Sequence, residues 1–294
     1  MEKLERCPLC KNVSHETFMQ VIDHSTSKES FLISKCKACN FMFTNPRPDA
    51  KEIEKYYESS EYISHTDNQK GFINNLYQTI RSYAITQKFK LISSFGTSHK
   101  ILDFGCGTGS FLEYCKQNKW ITTGAEPNKN ARDILTTKGI SALMPNDIKT
   151  LSKESFGIIT LWHVLEHVHK LDETITTIKS LLEKNGVLVV AVPNHTSYDA
   201  LYYKEYWAAY DVPIHLYHFS PTNIKSFFES LGFSLERTLP MRFDSFYVSM
   251  LSEKYKNGGS LIKAFYIGLK SNLKAAISKK PTYSSQIYVL RKIN

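Results

Sequence analysis

Strand-like and helix-like segments alternate through most of this chain. Short apolar runs, which predict strands, lie at 100–104, 121–126, 141–144, 156–161, 186–192, 233–239 and 286–291. Stretches with helical spacing, such as 110–119, 129–138, 172–184 and 221–231, separate them. Parallel strands need crossover helices of this kind, and such sheets are covered on both faces. The pattern therefore predicts an α/β fold with a seven-stranded, mostly parallel sheet and helices on both faces.

The segment 242–282 interrupts this alternation before the last strand. We interpret 246–251 as strand-like and 261–277 as a helix. Lysines are interleaved in that helix, so it could rest on an anionic membrane, but packing against the protein's own sheet is the preferred interpretation. Its apolar stripe consists of Leu261, Phe265, Leu269, Leu273 and Ile277.

Two prolines mark a boundary near the N-terminus. Asn45-Pro-Arg-Pro48 interrupts regular structure, because each proline fixes its own φ and restricts its predecessor. We divide the chain into a small β-rich module at 1–48, a helical lid or linker at 49–95 and the α/β domain at 96–294. The charged N-terminus does not resemble a secretory signal, and no run approaches the roughly 20 apolar residues of a spanning helix. We therefore expect a cytoplasmic protein.

Two CxxC pairs, Cys7-Pro-Leu-Cys10 and Cys36-Lys-Ala-Cys39, lie in the N-terminal module. Four thiolates at this spacing suit a tetrahedral, structural Zn²⁺ that leaves no position open for water. An iron–sulfur centre or two disulfides are the alternatives. The remaining cysteines, Cys106 and Cys115, are interpreted as small buried residues.

A glycine loop follows the strand at 100–104 and opens the next helix. Its sequence, Asp103-Phe-Gly105-Cys-Gly107-Thr-Gly109, lets the backbone approach a ligand closely. An acid before the first glycine would repel a pyrophosphate but attract a cationic group. Glu126, at the end of the next strand, is placed to accept hydrogen bonds from ribose hydroxyls, and Asp147 suits an adenine amino group. Together these residues would suit a nucleoside that carries a positively charged amino-acid tail. S-adenosylmethionine is such a ligand.

Two other interpretations of these residues stay open. An NAD-dependent enzyme would carry Gly-x-Gly-x-x-Gly, whereas this loop has glycines at alternate positions. Alternatively, the acids only cap helices or turns.

The motifs resemble those of class I S-adenosylmethionine-dependent methyltransferases, particularly the ubiquinone-biosynthesis and natural-product subgroup. The resemblance is carried by Ile101 to Gly109, by Gly124-Ala-Glu-Pro-Asn128 and by Leu161-Trp-His-Val-Leu-Glu-His-Val168. It implies a Rossmann-like fold and a cofactor site. The implied cofactor residues are Asp103, Gly105, Cys106, Gly107, Gly109, Glu126, Pro127, Asp147, Ile148, Trp162 and His163.

The N-terminal module is similar to the zinc-ribbon front end of a bacterial group that includes sugar C-methyltransferases. The module's continuation, through Phe43 to Pro48 and Tyr57 to His65, carries this resemblance. It implies that Tyr62 and His65 approach the cofactor from the lid.

A catalytic base is expected at the carboxyl ends of the strands, where open α/β sheets bind ligands. His215 is the first candidate, followed by His218 and Tyr217, although each histidine could instead brace its loop. His163, Glu166 and His167 form a second cluster, interpreted as a pocket wall rather than a metal site, because related quinone O-methyltransferases have an acid in place of His163. The aromatic residues between Tyr198 and Tyr210 could line a substrate pocket or simply pack.

These observations predict an S-adenosylmethionine-dependent methyltransferase that acts on an oxygen or carbon of a small molecule, such as a sugar or another biosynthetic intermediate. The net charge of +9 leaves open a nucleic-acid methyltransferase, although no Asn/Asp-Pro-Pro-Tyr/Phe motif is present. A non-catalytic protein that binds the cofactor is the third hypothesis. The sequence does not specify an oligomeric state.

Overall fold

The computed structural model describes residues 1–57 and 72–293. The strands in this part of the chain are β1 (His15–Ile22), β2 (Ser30–Cys36), β3 (Met42–Thr44), β4 (Lys100–Phe104), β5 (Ile121–Ala125), β6 (Ser141–Leu143), β7 (Phe156–Trp162), β8 (Leu182–Pro193), β9 (Tyr217–His218), β10 (Phe233–Pro240) and β11 (Ser285–Lys292). The α-helices are α1 (Phe72–Ser93), α2 (Ser110–Gln117), α3 (Lys129–Thr137), α4 (Leu171–Leu181), α5 (Tyr198–Tyr203), α6 (Pro221–Ser230), α7 (Asp244–Asn257) and α8 (Leu261–Ile277).

The larger sheet has the strand order β10–β11–β8–β7–β4–β5–β6. Its strands are parallel except β11, which pairs antiparallel with both β8 and β10. Apolar residues of β7 and β8 are buried along most of their length, as expected for strands covered on both faces. This sheet confirms the predicted α/β fold.

The strand order also determines where ligands can bind. From β4 the chain runs outward to β5 and β6, and it then returns to the other side of β4 to form β7 and β8. Open α/β sheets bind ligands at such a switch point, beyond the carboxyl ends of the strands. The loops after β4, β5 and β7 therefore surround one crevice.

The prediction for residues 246–251 was wrong, because they lie inside helix α7. Aromatic and β-branched residues in Phe246-Tyr-Val248 favour a strand locally. Helix α7 instead packs along α8, and the two backbones approach so closely that a Cβ on Gly268 would lie 2.9 Å from the Phe246 ring. Tertiary packing outweighs local propensity at this position.

The predicted packing of α8 against the protein's own sheet was also wrong. The helix packs on α7 and α5 through a narrow face of small residues, and its apolar stripe faces outward. Phe265 is 60% exposed and Ile277 is 84% exposed. Helical periodicity identifies an apolar face, but not what covers it.

The N-terminal module shares a sheet with a later part of the chain. Strands β1, β2 and β3 are joined by β9 in the order β1–β2–β3–β9. Met42 pairs with His218 and Phe43 with Tyr217, and Thr44 donates a 2.8 Å side-chain hydrogen bond to the His215 carbonyl. The module therefore holds the loop that carries the three candidate catalytic residues. The proposed domain boundaries remain a prediction.

Candidate cofactor and acceptor site

The glycine loop turns sharply from β4 into α2. Gly105 has a φ of 77° and donates a 2.7 Å hydrogen bond to the Ala125 carbonyl at the end of β5. A Cβ at Gly105 would lie 2.4 Å from a methyl group of Val164. Gly109, with a φ of 76°, begins α2 without a side-chain cap. The loop thus brings the backbone N–H groups at the start of α2 to the crevice without a side-chain cap. Such groups favour polar or anionic parts of a ligand.

Glu126 is buried directly beyond β5, where its carboxylate braces the glycine loop. Its Oε2 accepts a 2.9 Å hydrogen bond from the Gly107 N–H, and its Oε1 accepts one of 3.0 Å from the Asn128 N–H. Arg132 donates to the carbonyls of Glu126 and Pro127 and so holds this turn. Each carboxylate oxygen has further lone pairs, which can accept ribose hydroxyls.

Asp103 lies at the end of β4 with only 3% of its surface exposed. Its Oδ1 accepts a 2.6 Å hydrogen bond from the Thr160 hydroxyl. Burial raises the pKa of the Asp103 carboxyl to about 7, although Thr160 and the Lys88 ammonium oppose this shift. A cation placed beside this carboxyl group would therefore stabilise its ionised form.

Lys88 is a site residue that the sequence did not reveal. It comes from α1, and its Nζ lies 4.3 Å from the centroid of the Trp162 ring, a cation–π distance. Burial lowers the pKa of Lys88, while the carboxylates of Asp103 and Asp244 oppose this shift. No motif surrounds Lys88, so only the packing of α1 against the crevice could identify it.

The residues predicted for adenine and for the sulfonium lie on opposite sides of β4, after β6 and at the end of β7 respectively. Asp147 is exposed on a short 3₁₀ helix, Pro145–Thr150, after β6, whereas Ile148 is buried beneath it. The Trp162 Nε1–H is buried and has no hydrogen-bond partner among the described residues. Cys106 packs against Gly124, at which a Cβ would lie 2.5 Å from the cysteine sulfur.

His163 lies between two acids. Its Nε2 is 3.1 Å from Asp244 Oδ2, and its Nδ1 is 3.5 Å from Glu166 Oε1. Burial by itself would lower the pKa of His163, but these two carboxylates raise it to about 9. His163 is therefore a cation at neutral pH, placed at a φ of 56° directly after β7.

Glu166 and His167, which follow β7, meet His215, which precedes β9, and each of the three places one ligand-capable atom within 4.8 Å of the others. Glu166 is fully buried, and neither of its carboxylate oxygens has a hydrogen-bond partner among the described residues. Burial would raise the pKa of Glu166, but His163 and the other histidines hold it below its usual value. The three groups could hold a divalent cation or move a proton. His163, which the sequence grouped with Glu166 and His167, contacts both Glu166 and Asp244.

One ring nitrogen of His215 is held by a backbone carbonyl. Its Nδ1 lies 2.9 Å from the Ala209 carbonyl, to which it can only donate, so Nε2 carries the lone pair. Burial lowers the pKa of His215. The imidazole is therefore neutral at physiological pH, with its acceptor nitrogen 3.9 Å from Asp211 Oδ2.

The other two catalytic candidates face the N-terminal module. The His218 Nε2 lies 3.2 Å from the Thr44 hydroxyl. The Tyr217 hydroxyl donates a 3.1 Å hydrogen bond to the His169 carbonyl, and Arg47 lies over its ring. Both residues brace β9 against β3, and their catalytic assignment stays a prediction. Tyr62 and His65, predicted to reach the cofactor, lie outside the described residues.

The aromatic residues predicted as a substrate wall divide into two groups, because Tyr198, Tyr202 and Tyr206 are partly exposed whereas three others are buried. Tyr203, Trp207 and Tyr210 are buried in the core. Trp207 donates a 2.8 Å indole hydrogen bond to the buried Asp199. This part of the cluster packs and anchors the loop before His215.

The four module thiols converge. The Sγ atoms of Cys7 and Cys39 are 3.7 Å apart, those of Cys10 and Cys36 are 3.6 Å apart, and all four lie within 4.8 Å of one another. Tetrahedral Zn²⁺ with bonds of about 2.3 Å separates its sulfur ligands by about 3.8 Å. The cysteines form no disulfides. The cluster therefore has the geometry of a structural zinc site.

Comparisons with known proteins agree with this geometry. A family model described as "Methyltransferase domain" matches residues 60–238. The ubiquinone biosynthesis O-methyltransferase of Pelagibacter ubique is 27% identical over 50% of this chain and 65% of its own length. The corresponding protein of Pasteurella multocida is 29% identical over 50% of this chain and 66% of its length, and that of Rhizobium etli matches over only 42% of its length. The chain thus spans between two fifths and two thirds of these relatives.

Solved structures share the fold. A magnesium protoporphyrin IX methyltransferase from Synechocystis with bound S-adenosylhomocysteine superposes with a TM-score of 0.54 at 14% identity, covering 83% of this chain and all of that one. An S-adenosylmethionine-dependent methyltransferase from Archaeoglobus fulgidus has a TM-score of 0.50 at 19% identity, covering 76% of this chain and all of that one. With the family model matching more than half of the sequence, this chain belongs to the class I methyltransferase domain family.

Proposed function

We propose that this protein transfers a methyl group from S-adenosylmethionine to an oxygen or carbon of a small organic acceptor. The observation that carries the proposal is the meeting of Asp103, the glycine loop and Glu126 at the switch point of a methyltransferase-family sheet. The ubiquinone biosynthesis O-methyltransferases among the relatives support a small, biosynthetic acceptor.

The residues present fit this cofactor. The buried Asp103 carboxyl supports a ligand with a positively charged tail, because an opposite charge beside it favours its ionised form. The unpartnered Trp162 indole N–H is a donor available to a ligand. We assign Glu126 to the ribose hydroxyls, and Asp147 with Ile148 to the adenine ring.

When bound, the cofactor supplies an electrophilic methyl group on a sulfonium. The protein must then align the acceptor and remove its proton. We assign proton removal to His215, because its Nε2 lone pair is available while Nδ1 is held by the Ala209 carbonyl. The buried Glu166 carboxylate stabilises the imidazolium that forms, since an opposite charge nearby favours the protonated ring.

We also propose that Cys7, Cys10, Cys36 and Cys39 bind a structural Zn²⁺. The sulfur separations fit tetrahedral coordination, and four thiolates leave no open position for catalysis. The ion would organise the β1–β2 hairpin and, through the pairing of β3 with β9, support the loop that carries His215.

Calorimetric titration with S-adenosylmethionine and its demethylated product tests the cofactor assignment. Replacing Glu126 by Gln removes the charge of two potential ribose contacts, and each hydrogen bond to a charged group is worth about 1.5–3 kcal/mol. Because the neutral amide of Gln keeps part of each hydrogen bond, we expect the Kd to rise by roughly 10- to 1000-fold. The exposed Glu173→Gln is the matched control and should bind normally.

A screen of acceptors with methyl-labelled cofactor tests the reaction. Transfer of label to small hydroxylated or carbon-acid compounds supports the proposal. Exclusive transfer to RNA or DNA would replace it with a nucleic-acid methyltransferase, and cofactor binding without turnover in any acceptor class would indicate a non-catalytic protein. Absence of binding to either cofactor form by the folded protein would refute it altogether.

A further inference from the structure

The positive charge of this protein is concentrated at its C-terminal end. Residues 254–294 contain nine Lys or Arg and no Asp or Glu, so this segment carries a charge equal to the net +9 of the whole chain. Helix α8 lies within it and contains no acidic residue. The rest of the protein is electrically balanced, which makes this segment a distinct basic region.

The outward face of α8 is apolar. Ile262 is 86% exposed, and Phe265, Tyr266, Leu269, Leu273 and Ile277 are each at least 40% exposed. At about 100° per residue, these side chains fall within a stripe about 120° wide. A continuous stripe of this kind differs from the single exposed apolar residues that are common on protein surfaces.

The opposite face of α8 is firmly packed. Ala264, Ile267, Gly268, Ser271 and Ala275 are buried against the neighbouring helices. The Ser271 hydroxyl donates a 2.6 Å hydrogen bond to the buried Asp199 carboxylate. This packing fixes the rotation of the helix, so its apolar stripe is held toward solvent.

Three lysines of α8 lie on one flank of the stripe. Lys263, Lys270 and Lys274 are spaced by 7 and 4 residues, which places them on the same side of the helix. The Lys274 Nζ lies 4.3 Å and the Lys270 Nζ 5.3 Å from the centroid of the Tyr198 ring on α5. Lysine and tyrosine beside an apolar stripe form the composition of a helix that lies in a membrane interface.

We propose that the outward face of α8 docks this protein on the surface of an anionic lipid bilayer. The apolar stripe would enter the boundary between headgroups and acyl chains, and the flanking lysines, with Lys279 and Lys280 at the helix end, would contact anionic headgroups. Among the described residues, no helix is long and apolar enough to cross a membrane. The proposed contact is peripheral, because α8 exposes one face and packs the other against the protein.

A second copy of the chain is a poorer occupant of this face. A symmetric dimer in which two copies of α8 packed antiparallel would bring their lysine flanks together, and the segment offers no acidic residue in return. The nearby Glu253 is buried and already paired with Lys263 at 3.2 Å. An anionic bilayer supplies the missing negative charge over the whole face.

Vesicle flotation with the full-length protein tests the proposal. The probes are two kinds of vesicle, one of phosphatidylcholine alone and one that also contains about 30% of the anionic lipid phosphatidylglycerol. We expect binding to the anionic vesicles that weakens with salt. Lys279→Gln/Lys280→Gln should weaken it roughly 25-fold, because each lysine near the surface contributes a factor of about five. Ile262→Glu/Ile277→Glu should weaken it more than tenfold.

Val13→Glu is the matched control, because Val13 is 62% exposed on the N-terminal module, and it should bind like the unaltered protein. All altered residues are exposed, so circular dichroism and thermal unfolding should be unchanged. Equal binding of the Ile262→Glu/Ile277→Glu protein and the unaltered protein would overturn the proposal, as would equal binding to both vesicle types. A dimer dissolved by the same substitutions, without vesicle binding, would instead assign the face to a second copy. Cofactor binding is measured in parallel and is expected to stay unchanged, so the test is independent of the proposed activity.

Discussion

The Asp103 carboxyl should make cofactor affinity depend on pH. Because burial raises its pKa to about 7, a substantial fraction of the free protein carries a protonated, neutral Asp103 near neutrality. A ligand with an ammonium group binds best to the ionised form. Its apparent Kd is the intrinsic Kd divided by the fraction of protein in that form. Affinity should therefore rise with pH through the titration of Asp103.

The magnitude follows from the pKa. About one half of Asp103 is ionised at pH 7 and about 3% at pH 5.5. The Kd of S-adenosylhomocysteine should therefore be roughly 15-fold higher at pH 5.5 than at pH 7. The ligand's α-amino group, which titrates near pH 8, stays charged over this range and does not contribute to the slope.

Isothermal titration calorimetry in buffers of different ionisation enthalpy measures both the Kd and the protons released. We expect about half a proton released at pH 7 and nearly one at pH 5.5. Asp103→Asn keeps the shape and can still accept from Thr160, but it should bind weakly and without this slope. A flat Kd in the unaltered protein, or the same slope in the Asp103→Asn protein, would refute the reasoning.

Three further predictions test other parts of the site. His215→Asn should lower kcat in steady-state kinetics by roughly 100- to 10,000-fold and leave the cofactor Kd nearly unchanged. A fall in kcat that is accompanied by an equal loss of cofactor affinity would contradict its role as a base. Cys36→Ser should abolish the zinc signal in atomic absorption and lower the Tm, whereas Cys115→Ala should keep the metal, and normal zinc content in the first variant would exclude the site. Gly105→Ala should lower the free energy of unfolding, measured in urea, by roughly 2–5 kcal/mol, because its new Cβ would collide with Val164. Gly107→Ala, whose Cβ would meet open space, should lower it by only about 1–2 kcal/mol, and equal effects would argue against the steric explanation.

Much of the cofactor side was predictable because it depends on local sequence. The glycine loop and Glu126 lie directly after successive strands, and parallel strands necessarily bring their carboxyl ends to one edge. The spacing within each cysteine pair likewise identifies a metal knuckle without knowledge of the fold. These predictions needed only short motifs and the alternation of strands and helices.

The acceptor side was less predictable, because its residues meet only through long-range packing. Glu166 and His215 are brought together because β9 anchors the loop that carries His215 to β3. These strands have only two and three residues, so neither has a hydrophobic pattern that would predict a strand. Lys88 reaches Trp162 only because α1 packs beside the crevice.

The sequence by itself determined the fold class, the position of the glycine loop and the metal-type cysteine pairs, since each follows from backbone periodicity or from residue spacing within a short segment. Tertiary structure decided that the N-terminal module completes a sheet with the candidate catalytic loop and that α8 turns its apolar stripe to solvent. Periodicity shows that a face is apolar, but which surface covers it depends on how the other elements fill the space around it.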